Sequence, residues 1–152
     1  MNYRWKLFLA ESEERKGTYS FDFDNTLTVL AWDEMEGDFV YKHPRAEMIE
    51  RLRELASKGN NIIIVTSRNH PDTFKDPRQL AWQNEFSSPE QLVADLNLPV
   101  SKIFYTNGQP KIYTLAEQGV VKHYDDDERE MGYINQYNRK HPESQIEFEL
   151  VQ

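Results

Sequence analysis

Two aspartates stand one residue apart near the start of the chain, in the sequence FDFDNTLT at residues 21–28. On a β-strand, residues i and i+2 point to the same face of the sheet. A strand that ran through both residues would therefore place the carboxylates of Asp22 and Asp24 side by side, where they repel each other. Such crowding requires a compensating positive charge, and we predict that a metal cation supplies it.

The other polar residues suited to chemistry follow further predicted strands. They are Thr66-Ser67-Arg68 after the run NIIIV, a loop that leads to Lys111, and Asp125-Asp126-Asp127 after the run VVKHY. In an open parallel sheet, ligands bind at the carboxyl ends of the strands, near the point where the strand order reverses. Four strand ends are thus expected to supply a carboxylate pair, a hydroxyl group, an ammonium group and a second carboxylate pair to one site.

This set of groups fits phosphoryl chemistry. Clustered carboxylates favour a hard cation, and Mg²⁺ is held by few protein oxygens together with water and substrate phosphate oxygens. One aspartate oxygen can then attack phosphorus and form an aspartyl-phosphate, while the second carboxylate protonates the leaving group and activates water. Thr66 and Lys111 are expected to bind the equatorial oxygens of the transition state.

The elements that position these residues alternate between strand and helix patterns, which is typical of βαβ units around a mostly parallel sheet. Strands are predicted near 18–24, 61–65, 103–105, 120–124 and 146–151. Helices are predicted between 44 and 59 and at 89–96, 112–118 and 128–138. The first strand alternates more than a central parallel strand should, so the pattern leaves its place in the sheet open.

Residues 29–41, VLAWDEMEGDFVY, predict a small hairpin because two apolar stretches flank the turn signal Glu36-Gly37. This flap is too short to be a folded cap domain. The chain of 152 residues, 38% of them apolar, has enough material for one core. We predict an N-terminal helical extension over residues 1–16, a single hydrolase domain over residues 17–152, and a short helix at 78–86.

Composition excludes some classes of protein and site. The absence of cysteine excludes disulfide frameworks, thiolate metal sites and cysteine nucleophiles. No run has the length of a signal-peptide core or a membrane span, so a soluble, cytoplasmic protein without membrane partners is expected. The formal net charge of −8 argues against stable nucleic-acid binding, although a local basic pocket is compatible with it. Nothing in the sequence specifies an oligomeric state.

The order DFDNT, VTSR, a following lysine and YDDD resembles the haloacid dehalogenase (HAD) superfamily of aspartate-nucleophile phosphatases, over about residues 18–151. The resemblance implies a three-layer, Rossmann-like α/β fold with the flap in place of a cap domain. It also implies that Asp22 is the nucleophile and that Asp24 is the general acid and base. Asp24 would in addition lend a backbone carbonyl to Mg²⁺.

The remaining roles complete the predicted site. The catalytic residues would be Asp22, Asp24, Thr66 and Lys111; the substrate-binding residues Thr26, Ser67, Arg68 and Asn107; and the metal ligands Asp22, Asp24, Asp125 and Asp126. The run of three aspartates leaves Asp127 as a further candidate ligand, and Lys102 or Lys122 competes with Lys111. A helix N-cap role for the aspartate run is compatible with metal binding. The four histidines show no ligand spacing and are interpreted as structural or surface residues.

Three features near the site bear on the substrate: the charge of the flap, two tryptophans and a group of basic residues. The flap is acidic and would repel a long polyanion, whereas Trp32 or Trp82 can stack on a base. A basic group that suits phosphate lies nearby, formed by Arg68, His70, Lys75 and Arg78.

Ser67-Arg68 followed by a Lys-Asp-Pro sequence resembles the phosphatase half of phage-type polynucleotide kinases, although the chain has no kinase P-loop. We therefore predict a phosphatase that acts on nucleotides, other phosphorylated small molecules or nucleic-acid phosphate ends. The alternative is a non-catalytic module that binds a phosphorylated partner.

Overall fold

A computed structural model of the chain describes residues 15–73 and 88–152. The strands are β1 (Thr18–Phe21), β2 (Thr28–Asp33), β3 (Asp38–Pro44), β4 (Asn61–Thr66), β5 (Lys102–Tyr105), β6 (Val120–Asp125) and β7 (Glu147–Leu150). The helices are α1 (Ala46–Ser57), α2 (Pro89–Leu96), α3 (Ile112–Glu117) and α4 (Glu128–Lys140). The predicted elements within the described ranges are present with small shifts at their ends, except that the first strand, predicted near 18–24, ends at Phe21.

The first strand lies at the centre of the main sheet, whose order is β5-β4-β1-β6-β7. It pairs in parallel with β4 on one side and with β6 on the other, so that Phe21 lies opposite Ile64 and Tyr124. The rings of Phe21 and Tyr124 stack with their centroids 4.6 Å apart. The alternating pattern of this strand arises because its polar residue Ser20 is buried and hydrogen-bonded rather than exposed.

Both faces of the main sheet are covered by helices. Ile62 and Ile64 of β4 join an apolar cluster with side chains of α1 and α2, whereas Ile63 and Val65 join a second cluster with side chains of α3 and α4. A strand that is buried on both faces needs apolar residues at successive positions, which explains the uninterrupted apolar run of β4. The predicted three-layer α/β fold with a parallel central sheet is confirmed.

Local signals mark the ends of the helices. The hydroxyl group of Ser88 accepts a hydrogen bond from the backbone N–H of Gln91 at 3.1 Å and so caps α2, and Pro89 occupies the first turn, where a missing N–H has no cost. Gly59 follows α1 with φ at 91°, a conformation that glycine adopts without strain at a Cβ atom.

The predicted flap is present as an antiparallel hairpin of β2 and β3. Its turn is closed by the carboxylate of Asp33, which accepts hydrogen bonds from the backbone N–H groups of Met35 and Glu36 at 2.9 and 3.1 Å. Gly37 has φ at 65°, as a tight hairpin turn requires. This hairpin stands where a cap domain would be inserted.

Several predicted features lie outside the described residues. They are the N-terminal helix up to residue 14, the short helix at 78–86, and the side chains of Lys75, Arg78 and Trp82. Within residues 15–73 and 88–152, no helix has the length and apolar character needed to cross a membrane.

Gly17 and Gly132 differ in whether the fold leaves space for a Cβ atom, and this difference predicts opposite effects on stability. Gly17 enters β1 with φ at 151°, and a Cβ atom placed on it would lie 2.9 Å from Cγ1 of Val121. Gly17→Ala is therefore expected to lower the free energy of unfolding by about 1–3 kcal/mol. The matched control is Gly132→Ala in α4, where a Cβ atom meets nothing within 4 Å. That change is expected to raise stability by about 0.5–1 kcal/mol, and urea unfolding of both variants measures the contrast. Equal effects would contradict this view of Gly17.

Candidate active site

The chain leaves the sheet abruptly after β1. The backbone N–H of Asp22 still donates to the carbonyl of Tyr124 at 2.9 Å, but residues Phe23–Leu27 form a kinked turn, in which Asp24 is extended and Asn25 takes a left-handed conformation with φ at 58°. The expectation that Asp22 and Asp24 share one strand face is wrong, because the strand ends at Phe21 and the chain turns between the two aspartates.

Each of these two aspartates has its own cationic partner. Lys111 Nζ lies 2.8 Å from Asp22 Oδ1. Arg68 forms a bidentate pair with Asp24, with Nε 2.7 Å from Oδ2 and Nη2 2.6 Å from Oδ1, and its guanidinium group lies 4.8 Å from the centroid of the Phe23 ring. Two separate side-chain cations thus offset the charge of the pair, in addition to the metal cation that the sequence suggested.

A cluster of three carboxylates forms where β1 and β6 end side by side. Asp22, Asp125 and Asp126 each offer one oxygen atom, and these atoms lie within 4.8 Å of one another. The hydroxyl group of Thr26 lies 3.2 Å from Asp126 Oδ1 and 3.4 Å from Asp22 Oδ2, and the Asn25 amide lies 3.4 Å from Asp126 Oδ2. The strand order reverses between β1 and β6, which is where ligands bind in open parallel sheets.

The third aspartate of the run has a different position. Asp127 is the N-cap of α4, and its carboxylate accepts a hydrogen bond from the backbone N–H of Arg129 at 2.9 Å. The guanidinium group of Arg129 also binds this carboxylate, and these contacts lower the pKa of Asp127. The structure therefore brings Asp125 and Asp126 to Asp22, while Asp127 fulfils the cap role that the sequence also allowed.

Lys111 is the lysine that the fold brings to the cluster. Its side chain is buried, and Nζ lies 2.6 Å from Asp125 Oδ2 as well as 2.8 Å from Asp22 Oδ1. Burial by itself lowers the pKa of Lys111, but the two carboxylates outweigh it, so that the pKa lies above its ordinary value. Of the alternatives, Lys122 pairs with Glu149 and Lys102 lies over the ring of Phe104.

Within residues 15–73 and 88–152, the contacts of the cluster include fewer cationic than anionic side chains. Burial raises the pKa of Asp22 well above its ordinary value, and although Lys111 opposes this shift, the charge of Asp125 adds to it. Burial also disfavours the ionised form of Asp125, but the hydrogen bond from His123 and the charge of Lys111 hold the pKa of Asp125 below its usual range. Lys111 thus contacts two of the three carboxylates, Asp22 and Asp125, while Asp126 accepts hydrogen bonds from the neutral side chains of Asn25 and Thr26. An all-oxygen donor set that lacks positive charge suits a hard divalent cation such as Mg²⁺.

The cluster forms the floor of an open cleft of about 350 Å³. Asp22, Asp24, Ser67 and Lys111 line it, together with acidic residues of the 125–130 segment. Within the described residues, Thr66 and Asn107, which were also predicted to belong to the site, have their side-chain hydrogen bonds with the backbone of residues 68–70 and, for Thr66, with no residue of the cluster.

Thr66 and Thr26 are fully buried, and the Thr66 hydroxyl accepts from the backbone N–H of Arg68 at 3.3 Å. Asn107 uses its amide oxygen to accept from the backbone N–H of His70 at 2.8 Å. The first contact lies within the turn after β4, and the second joins the segment after β4 to the turn after β5. The site roles of Thr66, Thr26 and Asn107 remain predictions.

One of the histidines interpreted from the sequence as structural or surface residues contacts the cluster. His123 is fully buried, and its Nε2 lies 2.8 Å from Asp125 Oδ2. A signal for it was present, since His123 precedes Asp125 by two positions on the same strand and so shares its face. Burial lowers the pKa of His123, which favours the neutral ring.

Comparisons with known proteins agree with this fold. No protein-family profile and no curated protein sequence matches the chain. Among solved structures, the chain is similar to one described as the structure of a Pnkp1/Rnl/Hen1 complex, with a TM-score of 0.55 and 15% identity. That match covers 91% of this chain and 47% of the solved chain, so this chain spans about half its length.

A putative 3-deoxy-D-manno-octulosonate 8-phosphate phosphatase from Vibrio cholerae matches with a TM-score of 0.49 and 15% identity, over 84% of this chain and 65% of that one. At such low identity, the likeness to the complex shows a shared fold. That fold is a three-layer, Rossmann-like α/β architecture, as the sequence predicted.

The charge imbalance at Asp22 predicts an effect on stability. Without Mg²⁺, Asp22→Asn is expected to raise the free energy of unfolding at neutral pH by about 1 kcal/mol. Because the pKa of Asp22 is raised in the folded chain, the stability that its carboxyl group contributes is full below about pH 4 and is lost as the pH rises through the folded-state pKa. The neutral amide avoids that loss.

Urea unfolding in a chelator across this pH range measures the difference, and Asp72→Asn at a carboxylate that is 91% exposed is the control. With saturating Mg²⁺ the order should reverse, since the wild-type chain gains more from a cation that binds only the folded state. An Asp22→Asn variant that is less stable in the chelator would contradict the inferred excess of negative charge.

Proposed function

We propose that the chain is a Mg²⁺-dependent phosphomonoester hydrolase of the HAD type that works through an aspartyl-phosphate on Asp22. The observation that carries this proposal is the placement of the Asp22 carboxylate between Lys111 Nζ, at 2.8 Å, and the oxygens of Asp125 and Asp126. A nucleophilic carboxylate needs a neighbouring cation to accept a phosphate dianion, and this site supplies one and has a place for another.

The side chains of Asp22, Asp125 and Asp126 would hold Mg²⁺, with the backbone carbonyl of Asp24 as the further ligand that the resemblance implies. When bound, the cation offsets the carboxylate charge and attracts the phosphoryl oxygens of the substrate. Lys111 lies beside the nucleophilic carboxylate and would neutralise charge on the same phosphoryl group.

The chemical steps use the two aspartates of the turn. An oxygen of Asp22 attacks phosphorus, and the bond between phosphorus and the leaving-group oxygen breaks as that oxygen takes a proton from Asp24. In the second half, the Asp24 carboxylate removes a proton from water, whose oxygen attacks the phosphorus of the aspartyl-phosphate. Inorganic phosphate leaves, and the Asp22 carboxylate is restored.

The bidentate pair with Arg68 sets a condition on these steps. Both oxygens of Asp24 accept a hydrogen bond from Arg68, so each keeps only one of its two acceptor sites, and the ion pair opposes the approach of a leaving group in this arrangement. A phosphoryl group is also a bidentate acceptor for a guanidinium group. Transfer of Arg68 from Asp24 to the substrate would release the acid and give Arg68 the substrate-binding role predicted from the sequence.

Nucleotides and nucleic-acid phosphate ends are the substrate class that we propose. The open cleft, with a hairpin in place of a cap, does not enclose a small substrate and leaves room for a terminal phosphate on a larger molecule. The acidic flap residues Asp33, Glu34, Glu36 and Asp38 oppose contact with a long polyanion. The enzyme would therefore contact the end of a nucleic acid rather than bind its length, and a cytoplasmic location is part of this proposal.

Phosphate release from a substrate panel tests the reaction and the substrate class together. The panel contains nucleoside monophosphates, 3′- and 5′-phosphorylated oligonucleotides, sugar phosphates and a phosphopeptide, each with Mg²⁺ and with a chelator. Release is expected only with Mg²⁺, and Asp22→Asn should reduce it by at least about 10³-fold because the nucleophile is lost. Activity confined to sugar phosphates would overturn the nucleic-acid assignment but leave the reaction class intact.

A second variant separates the enzyme from a phosphate-binding module. Asp24→Asn is expected to lower kcat by about 10²- to 10⁴-fold and the free energy of unfolding by about 1 kcal/mol, because one of the two oxygens that pair with Arg68 is replaced by an NH2 group that cannot accept. Asp72→Asn at an exposed carboxylate is the matched control and should keep full activity. If the wild-type chain binds a phosphorylated ligand without turnover and Asp24→Asn binds it equally well, the binding module is the better description.

A further inference from the structure

A buried chain of hydrogen bonds runs from the interior of the sheet to the floor of the cleft. Ser20 Oγ lies 2.6 Å from His123 Nδ1, and His123 Nε2 lies 2.8 Å from Asp125 Oδ2. The same oxygen of Asp125 lies 2.6 Å from Lys111 Nζ, which in turn contacts Asp22. The five residues that form it are between 0% and 5% exposed. The nucleophilic carboxylate is thus connected to two polar residues that lie wholly inside the sheet.

The direction of each hydrogen bond follows from the chemistry of the groups. An ionised carboxylate only accepts, so the His123 Nε2 atom must carry the proton that it shares with Asp125. With its proton on Nε2, the neutral ring has a lone pair on Nδ1, and the Ser20 hydroxyl group, 2.6 Å away, can donate its proton there. Ser20 and His123 are directly opposite each other on β1 and β6, and this register selects one tautomer of the ring.

The donors around Asp125 determine which of its oxygens is available. Oδ2 accepts from both Lys111 and His123, which uses its two acceptor sites. Oδ1 accepts a single hydrogen bond, from the backbone N–H of Asp127 at 3.0 Å, and keeps one acceptor site. Oδ1 is therefore the Asp125 oxygen that can act as a ligand to a cation, together with Asp22 and Asp126.

We propose that His123 is a positioning residue of this site, which acts through Asp125. Its Nε2–H group, held by Ser20, fixes the rotation of the Asp125 carboxylate, so that Oδ1 faces the cation site and Oδ2 keeps Lys111 beside Asp22. This inference rests on the proposed function. The residue touches neither the substrate nor the cation, and its effect is on the orientation of a ligand, as for other groups that hydrogen-bond to metal ligands.

Packing alone does not account for this pair of residues. A hydroxyl group and an imidazole ring inside a sheet stabilise it only if all their hydrogen bonds form, whereas apolar residues would fill the same positions without that requirement. The neighbouring side chain on β7 is Phe148, whose ring centroid lies 6.2 Å from that of His123, so the surroundings are compatible with an apolar residue. The polar pair is explained by the carboxylate that it orients.

Two amide variants of the full chain test the proposal. The amide nitrogen of His123→Gln takes about the place of Nε2 and can still donate to Asp125, whereas the shorter amide of His123→Asn takes about the place of Nδ1 and cannot reach it. We expect His123→Gln to bind Mg²⁺ nearly as the wild-type chain does. His123→Asn should weaken Mg²⁺ binding by about 10- to 100-fold, measured by titration calorimetry with Mg²⁺ alone, while urea unfolding stays cooperative. Equal Mg²⁺ affinity of the two variants would overturn the proposal.

A measurement on the unaltered chain covers the case in which His123→Asn does not fold. Ring ¹⁵N chemical shifts of His123 should show a protonated Nε2 and an unprotonated, hydrogen-bonded Nδ1. A proton on Nδ1 instead of Nε2 would overturn the proposal, since Nε2 then has nothing to donate to Asp125. Failure of the proposed function looks different: the wild-type chain would bind no Mg²⁺ and release no phosphate, whatever the tautomer of His123.

Discussion

The buried ammonium group of Lys111 is the interaction on which the rest of the site depends. Its side chain is 3% exposed and lies between carboxylates that follow two neighbouring strands, Asp22 after β1 and Asp125 at the end of β6. The backbone N–H of the same residue donates to Glu130 of α4 at 3.1 Å. A single residue thus ties the start of α3 to two strand ends and a second helix. Without the ammonium charge, two buried carboxylates would lack compensation, at a cost of about 3–5 kcal/mol.

The need to keep these buried charges in place explains why the loops around the site are hydrogen-bonded to one another. The turn after β4 is bonded to the turn after β5, because Ser67 and Arg68 offer their backbone carbonyls to the N–H groups of Gly108 and Asn107 at 2.8 and 3.2 Å. Arg68 in turn holds Asp24 through its side chain. A site that concentrates negative charge destabilises itself, so its geometry has to be maintained by hydrogen bonds from several elements rather than by the charged residues alone.

Much of this architecture was predictable from local patterns. The apolar run of β4, the cap at Ser88 and the turn at Gly37 each depend on neighbouring residues, and the structure follows them closely. The turn after Phe21 was not predictable in the same way. Asp-x-Asp is compatible with a strand, but β1 ends at Phe21 and the turn that follows includes a left-handed Asn25, a conformation that the sequence allows but does not require.

The sequence by itself determined the α/β fold class, the strand ends that carry polar groups and the type of chemistry that these groups suit, because periodicity and residue type are local properties of the chain. Only the tertiary structure decided which of three lysines enters the cluster, which two of three aspartates join Asp22, and that Arg68 pairs with Asp24 across 44 positions of sequence. It also decided that His123 reaches Asp125 together with Ser20, 103 positions earlier. Such pairings depend on strand order and register, which bring distant residues to one edge of the sheet and have no local signal.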